Sequence, residues 1–217
     1  MSRLLLIILV GLSFSAYSQS KGVLPAGTFS YKLDNGWKLI SKLEQRTKKD
    51  AESSYFHHDL IDWALFSSKQ IDINKVWNTG VQLRFKEGEI IPRFIQQLVI
   101  KESYFDLDCS HRIVWDITKK KTDVYSNRFR YRFAGVIPFQ GEQVDVKELY
   151  GKWGIEALNQ IESAIYTFEH RSSFYMGLKI SSSFKVEIGP EWRFKIKFKD
   201  SDSTRNFWMR LNFYNSF

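Results

Sequence analysis

The stretch that decides the fold is Phe184-Lys185-Val186-Glu187-Ile188-Gly189-Pro190-Glu191-Trp192-Arg193-Phe194-Lys195-Ile196-Lys197-Phe198. Its even positions are wholly apolar and its odd positions nearly all charged. Successive side chains of a β-strand point to opposite faces, so a period of two means one dry face and one wet face. The same register recurs on both sides of it. Arg128, Arg130 and Arg132 alternate with Phe129, Tyr131 and Phe133. Upstream, Trp77, Val81, Leu83 and Phe85 alternate with Asn78, Gln82, Arg84 and Lys86. Downstream, Phe174, Met176 and Leu178 oppose Ser173, Tyr175 and Gly177. The final strand sets Phe207, Met209, Leu211 and Phe213 against Trp208, Arg210, Asn212 and Tyr214. Helical periodicity is poor throughout, and the expected class is all-β.

The N-terminus has a different character. Arg3 precedes a short apolar run, 4–12, and Ser15-Ala16-Tyr17-Ser18 supplies a small-residue cleavage site before Gln19. These are the three parts of a secretory signal, and the run falls short of the roughly 20 apolar residues of a spanning helix. The expected organisation is a leader over 1–18 and one β domain over 19–217. A single cysteine, Cys109, excludes an internal disulfide and a CxxC metal site. The formal charge is +8. The lysines and arginines alternate with apolar residues instead of forming runs, which argues against a nucleic-acid surface.

Alternation alone does not say which face is inside. A soluble barrel turns its apolar face inward, whereas an outer-membrane barrel turns it to lipid. Three features favour the second. Aromatics make up 16% of the chain, many runs reach the ~9–11 residues that cross a bilayer, and the chain ends on Phe217 in register with Phe213. That ending resembles the final strand read by the outer-membrane insertion machinery. Connections also fall into two interleaved sets. Those near 34–36, 69–74, 103–104, 140–142 and 181–183 look short; those at 47–54, 87–89, 119–122, 159–163 and 199–205 look longer and more polar. Short periplasmic turns opposite longer extracellular loops suit a membrane barrel.

The strand count conflicts with parity. A first run at 26–33 plus ten others gives eleven, but bacterial single-chain barrels have even numbers. The expectation is therefore an antiparallel up-and-down transmembrane barrel of ten strands, or twelve if another short strand precedes the first.

The chain resembles the outer-membrane β-barrel family of domain of unknown function 2490. The resemblance is carried by Leu43-Glu44-Gln45-Arg46, Pro92-Arg93-Phe94-Ile95-Gln96-Gln97-Leu98 and Arg128-Phe129-Arg130-Tyr131-Arg132-Phe133 leading to Pro138, with Glu156, Phe174-Tyr175-Met176-Gly177-Leu178 and the closing strand. It implies a barrel in the outer membrane and no known activity. The implied partners are outer-membrane lipid, lipopolysaccharide and the insertion machinery, with oligomeric state open and no nucleic acid.

On this reading the lumen-facing charges are Lys42, Glu44, Arg84, Arg93, Arg128, Arg130, Arg132, Glu148, Glu156, Glu187 and Arg193, joined by Lys38, Arg46, Lys86, Lys152, Glu191 and Lys195. Phe129, Tyr131, Phe133, Trp192, Phe194, Phe213 and Phe217 face lipid. The charges either cross-link into a plug or line a narrow anion-preferring pore, and a barrel this small favours the plug. Two alternatives remain: a secreted lipocalin-like ligand-binding barrel, and a barrel-embedded lipid hydrolase. For the second, His170 and Ser172 share a strand face at a spacing suited to a base and a nucleophile, but no acid or amide completes the set. Adjacent His57 and His58 point apart, and Cys109 with His111 is two ligands only, so neither a metal nor a cofactor is expected.

Overall fold

The computed structural model describes residues 20–50, 55–104, 107–120, 124–199 and 202–217, so the expected leader lies outside the described residues. Eleven strands form one closed barrel: β1 (Ser20–Lys32), β2 (Trp37–Asp50), β3 (His57–Gln70), β4 (Lys75–Lys86), β5 (Glu89–Tyr104), β6 (Leu107–Lys119), β7 (Tyr125–Pro138), β8 (Leu149–Glu162), β9 (Ile165–Lys179), β10 (Phe184–Lys197) and β11 (Asp202–Ser216). Every chain-adjacent pair is antiparallel. The closing pair is not. β1 and β11 run parallel, from Ser20 opposite Asn206 to Ser30 opposite Ser216.

This corrects the expected ten or twelve strands and the wholly antiparallel order. An up-and-down sheet with an odd number of strands brings its first and last strands together pointing the same way, so a parallel seam removes the parity constraint. The seam is well bonded. Phe217 donates its N–H to the Ser30 carbonyl at 2.8 Å, Lys32 donates to the Phe217 carbonyl at 3.2 Å, and the Ser30 and Ser216 hydroxyls lie 3.0 Å apart. The first strand also begins at Ser20, six residues before the expected Ala26.

Followed once round the sheet, the registers return to β1 displaced by about 14 residues, a stagger that tilts the strands by roughly 45°. Strands of 12 to 16 residues at that tilt give a wall about 28 to 37 Å tall.

Each rim collects one set of connections. The rim at Gly36 carries 33–36, 71–74, 139–148 and 180–183; the rim at Gly88 carries 87–88, 163–164 and the start of β1. The two sets group as the sequence pattern suggested, but their lengths do not. The connection over 139–148 on the expected short side is ten residues, whereas 87–88 and 163–164 on the expected long side are two-residue turns. Both tight turns need positive φ. Glu87 and Gly88 adopt 51° and 76°, and Ser163 and Ala164 adopt 47° and 61°. Such left-handed pairs match the twist of a hairpin.

The two faces of the sheet are sorted by polarity. Large apolar side chains cover the outside, with Ile155 at 49% and Phe213 at 38% exposure. The inside holds carboxylates that see almost no solvent, Asp116 at 0% and Glu187 at 1%.

Candidate functional site: the charged lumen

Alternation on tilted strands aims one side chain in two into the barrel, and here the inward set is largely ionic. Asp116 on β6 is the most heavily shared acceptor. Arg128 on β7 donates to both its oxygens from Nε and Nη2 (2.8 and 3.1 Å), Arg130 approaches at 3.1 Å, and Arg93 on β5 at 3.4 Å. Arg93 also donates to the Thr118 hydroxyl at 2.8 Å. One carboxylate thus holds three guanidinium groups.

The other carboxylates link strands round the ring. Glu156 accepts from Arg112 at 2.8 Å and Arg171 at 3.1 Å, and Arg171 also reaches Glu169 at 2.6 Å. Arg210 on β11 bridges Glu191 (2.9 Å) and Glu44 (2.7 Å), tying β10 to β2 past β1. Lys42 donates to Glu44 at 2.9 Å, Arg193 lies 2.6 Å from Glu191, and Arg84 grips Asp62 through two bonds of 2.8 and 2.7 Å. Two-point guanidinium–carboxylate bonds of this kind fix geometry as well as charge.

Glu187 anchors a separate group nearer the Gly36 rim. Lys152 lies 2.9 Å from both its oxygens, and the hydroxyls of Tyr150 and Tyr214 donate to it at 2.9 and 3.0 Å. Tyr150 reaches it because residue 177 is glycine. A Cβ there would sit 2.2 Å from the Tyr150 ring, where no side chain fits.

Towards the Gly88 rim the lumen is filled. Leu24, Leu60 and Leu158 are fully buried, and Trp208 lies between the guanidinium groups of Arg46 (5.2 Å) and Arg193 (5.4 Å). Above this layer is a cavity of about 480 Å³. Twelve lysines and arginines and four carboxylates line it. Asp116, Glu169 and Glu187 lie behind that lining, and cations remain in excess. Arg132 has only the Ser173 hydroxyl, at 3.4 Å, and no carboxylate within ion-pair distance among the described residues.

The expected lumen residues Lys42, Glu44, Arg84, Arg93, Arg128, Arg130, Arg132, Glu156, Glu187 and Arg193 all belong to this interior, as do Arg46, Lys152 and Glu191. Glu148 does not join the ring. It precedes β8 and accepts the backbone N–H groups of Gln140 (2.8 Å) and Asp145 (2.7 Å), bracing the connection over 139–148. Lys86 pairs at the rim with Glu87, 3.4 Å away. Lumen charges outside the expected set are Asp62, Arg112, Asp116, Glu169, Arg171 and Arg210.

On the outer face, Phe129, Tyr131 and Phe213 are exposed, and Phe217 is the most exposed of the expected aromatics. Trp192 packs edge-on against Phe207. His170 and Ser172 are on this face too, Nε2 to Oγ 2.8 Å. Across the sheet His170 meets Phe194 and Ala157, and Ser172 meets Trp192 and Ile155, so the directly paired residues supply no acid. His111 stands apart from a metal set, bonded to the Tyr131 hydroxyl at 2.7 Å and stacked on Phe133.

The molecule is thus a closed β-barrel with an apolar exterior and an ionic core. The chain belongs to the family described as "Protein of unknown function (DUF2490)", whose model matches residues 22–204. The match spans β1 to the first residues of β11. A search of the curated proteins found no match.

Proposed function

We propose that this chain is an outer-membrane barrel, exported by a leader over residues 1–18, whose interior is a cross-linked ionic plug bearing a cationic cavity, and that it is not an enzyme. One observation carries the reading: the apolar faces point out and the charges point in. In water that arrangement would expose a continuous apolar belt and enclose costly charges. In lipid the outer surface is solvated by acyl chains, and a wall about 28 to 37 Å tall suits a hydrocarbon core of about 30 Å. A lipocalin-like barrel needs the opposite sorting. The expected partners are outer-membrane lipid, lipopolysaccharide and, during assembly, the machinery that reads the final strand.

The plug argues for a blind or very narrow lumen with a preference for anions, not a wide pore. The test is fractionation followed by planar-bilayer recording. The expected result is co-purification with outer membrane, heat-modifiable gel migration and no large unitary conductance. Extraction into aqueous buffer without detergent would overturn the membrane assignment, and porin-sized openings would overturn the plug. The hydrolase reading has the His170–Ser172 contact in its favour; retention of any lipase or deacylase activity by Ser172→Ala would eliminate it.

A further inference from the structure

The interior is graded along the barrel axis. At the Gly36 rim, Lys32, Lys38, Lys101 and Lys185 point inward, and Lys38 sits in the field of the other three. None of the four enters an ion pair among the described residues. Below them the cavity wall carries no net charge: Thr28, Ile40, Asn78, Gln97, Val99 and Ser110 are uncharged, and Lys152 is neutralised by Glu187 at 2.9 Å. Below that is the guanidinium layer, and beneath it the leucine and Trp208 layer closes the floor. A lysine collar, a neutral throat and an arginine floor over a dry base form a cup that concentrates anions.

We propose that this cup is a binding site for a small, multiply charged phosphate anion of the pyrophosphate kind, entering at the Gly36 rim and seated on Arg112, Arg130 and Arg132. The site rests on the cationic-cavity reading above. Arginine is the residue suited to phosphate oxygens, because its planar fork of donors meets two oxygens at once. The local balance favours a polyanion over chloride. Asp116 is shared by three guanidinium groups, Glu156 by two, and Arg132 has no carboxylate partner. Each cation left over gains an acceptor when a multivalent anion arrives, and no protein carboxylate has to leave. The surrounding wall blocks lipid headgroups, so the ligand comes from solution.

Calorimetric titration of the full chain in detergent micelles with sodium pyrophosphate tests the site, with citrate and chloride as competing arms. Wild-type protein should bind pyrophosphate at one site, at least tenfold more tightly than citrate, with chloride showing no saturable heat. Arg132→Gln removes a cation without orphaning a carboxylate and should weaken binding tenfold or more. Thr28→Trp fills the throat without altering charge and should abolish it. Heat-modifiable migration checks that each variant is folded. No pyrophosphate binding by the folded wild type, equal affinity for citrate, or unchanged affinity in both folded variants would overturn the proposal. A detergent-free soluble barrel that still binds would sink only the membrane assignment; a membrane-integrated barrel that binds nothing would sink only the site.

Discussion

β7 and β1 stand on opposite sides of the lumen, five strands apart one way round and six the other, and they solve the interior differently. β7 sends in Arg128, Arg130 and Arg132; β1 sends in Ser20, Gly22, Leu24, Ala26, Thr28 and Ser30, with no charge among them. Apart from Lys32 at the Gly36 rim, one wall supplies long cations and the other supplies room for them. Were both walls like β7, the interior would be overfilled and unneutralised; were both like β1, it would be a void. The cavity exists because the two are unlike.

The largest break in this comparison should come from the acceptor beneath β7. Asp116→Leu leaves three guanidinium groups without their shared carboxylate, and removing one partner of a buried ionic cluster typically costs about 3–5 kcal/mol. The midpoint of urea unfolding, followed by loss of the heat-modifiable band, measures it; a change under about 1 kcal/mol would mean the cluster is not structural. On β1 the corresponding risk is packing. Leu24→Ala opens a hole in the closed floor and should cost about 2–3 kcal/mol, with no change in pyrophosphate affinity. Thr28→Glu sharpens the contrast by placing a negative charge in the uncharged stretch of β1. It should weaken pyrophosphate binding about tenfold, equivalent to roughly 1.4 kcal/mol, and an unchanged affinity would argue that the cup is not the site. The smallest effect is a control far from both faces of the comparison. Ala164→Gly relieves the positive φ at the β8–β9 turn and should raise stability by about 0.5–1 kcal/mol, leaving binding untouched.

The same contrast explains what was legible in the sequence. β7 and β10 announce themselves because each pairs apolar with charged residues at a strict period of two, so both their existence and their inward faces could be read directly. β1 hides because its inward residues are small or apolar and its outward face includes Lys21, Pro25 and Gly27. With no charge on its inward face before Lys32 it reads as an optional strand, and parity then argues against it. Nothing local encodes a parallel seam, which is a property of the closed ring. Glu148 was misplaced for a related reason. Its alternation with Leu149 continues the pattern of β8, but the strand starts one residue later and the side chain is spent on loop N–H groups. Asp116 and Arg112 are hard to read from the sequence although β6 alternates, because Ser110, Val114 and Thr118 dilute the polar face. Both nevertheless occupy even positions of 107–119 and so share one face. The sharing of one carboxylate among three arginines was out of reach, since it depends on which strands become neighbours and at what stagger.

The parallel seam gives the molecule a polarity that an even-stranded barrel lacks. Residue 20 lies at the Gly88 rim and residue 217 at the Gly36 rim, so the two ends of the barrel domain leave from opposite mouths. If the outer-membrane proposal holds, short labels fused at those two places would report on opposite sides of the membrane, from a single polypeptide. Joining the ends instead would require a linker long enough to cross the whole barrel, so this fold resists the circular permutation that hairpin-closed barrels accept.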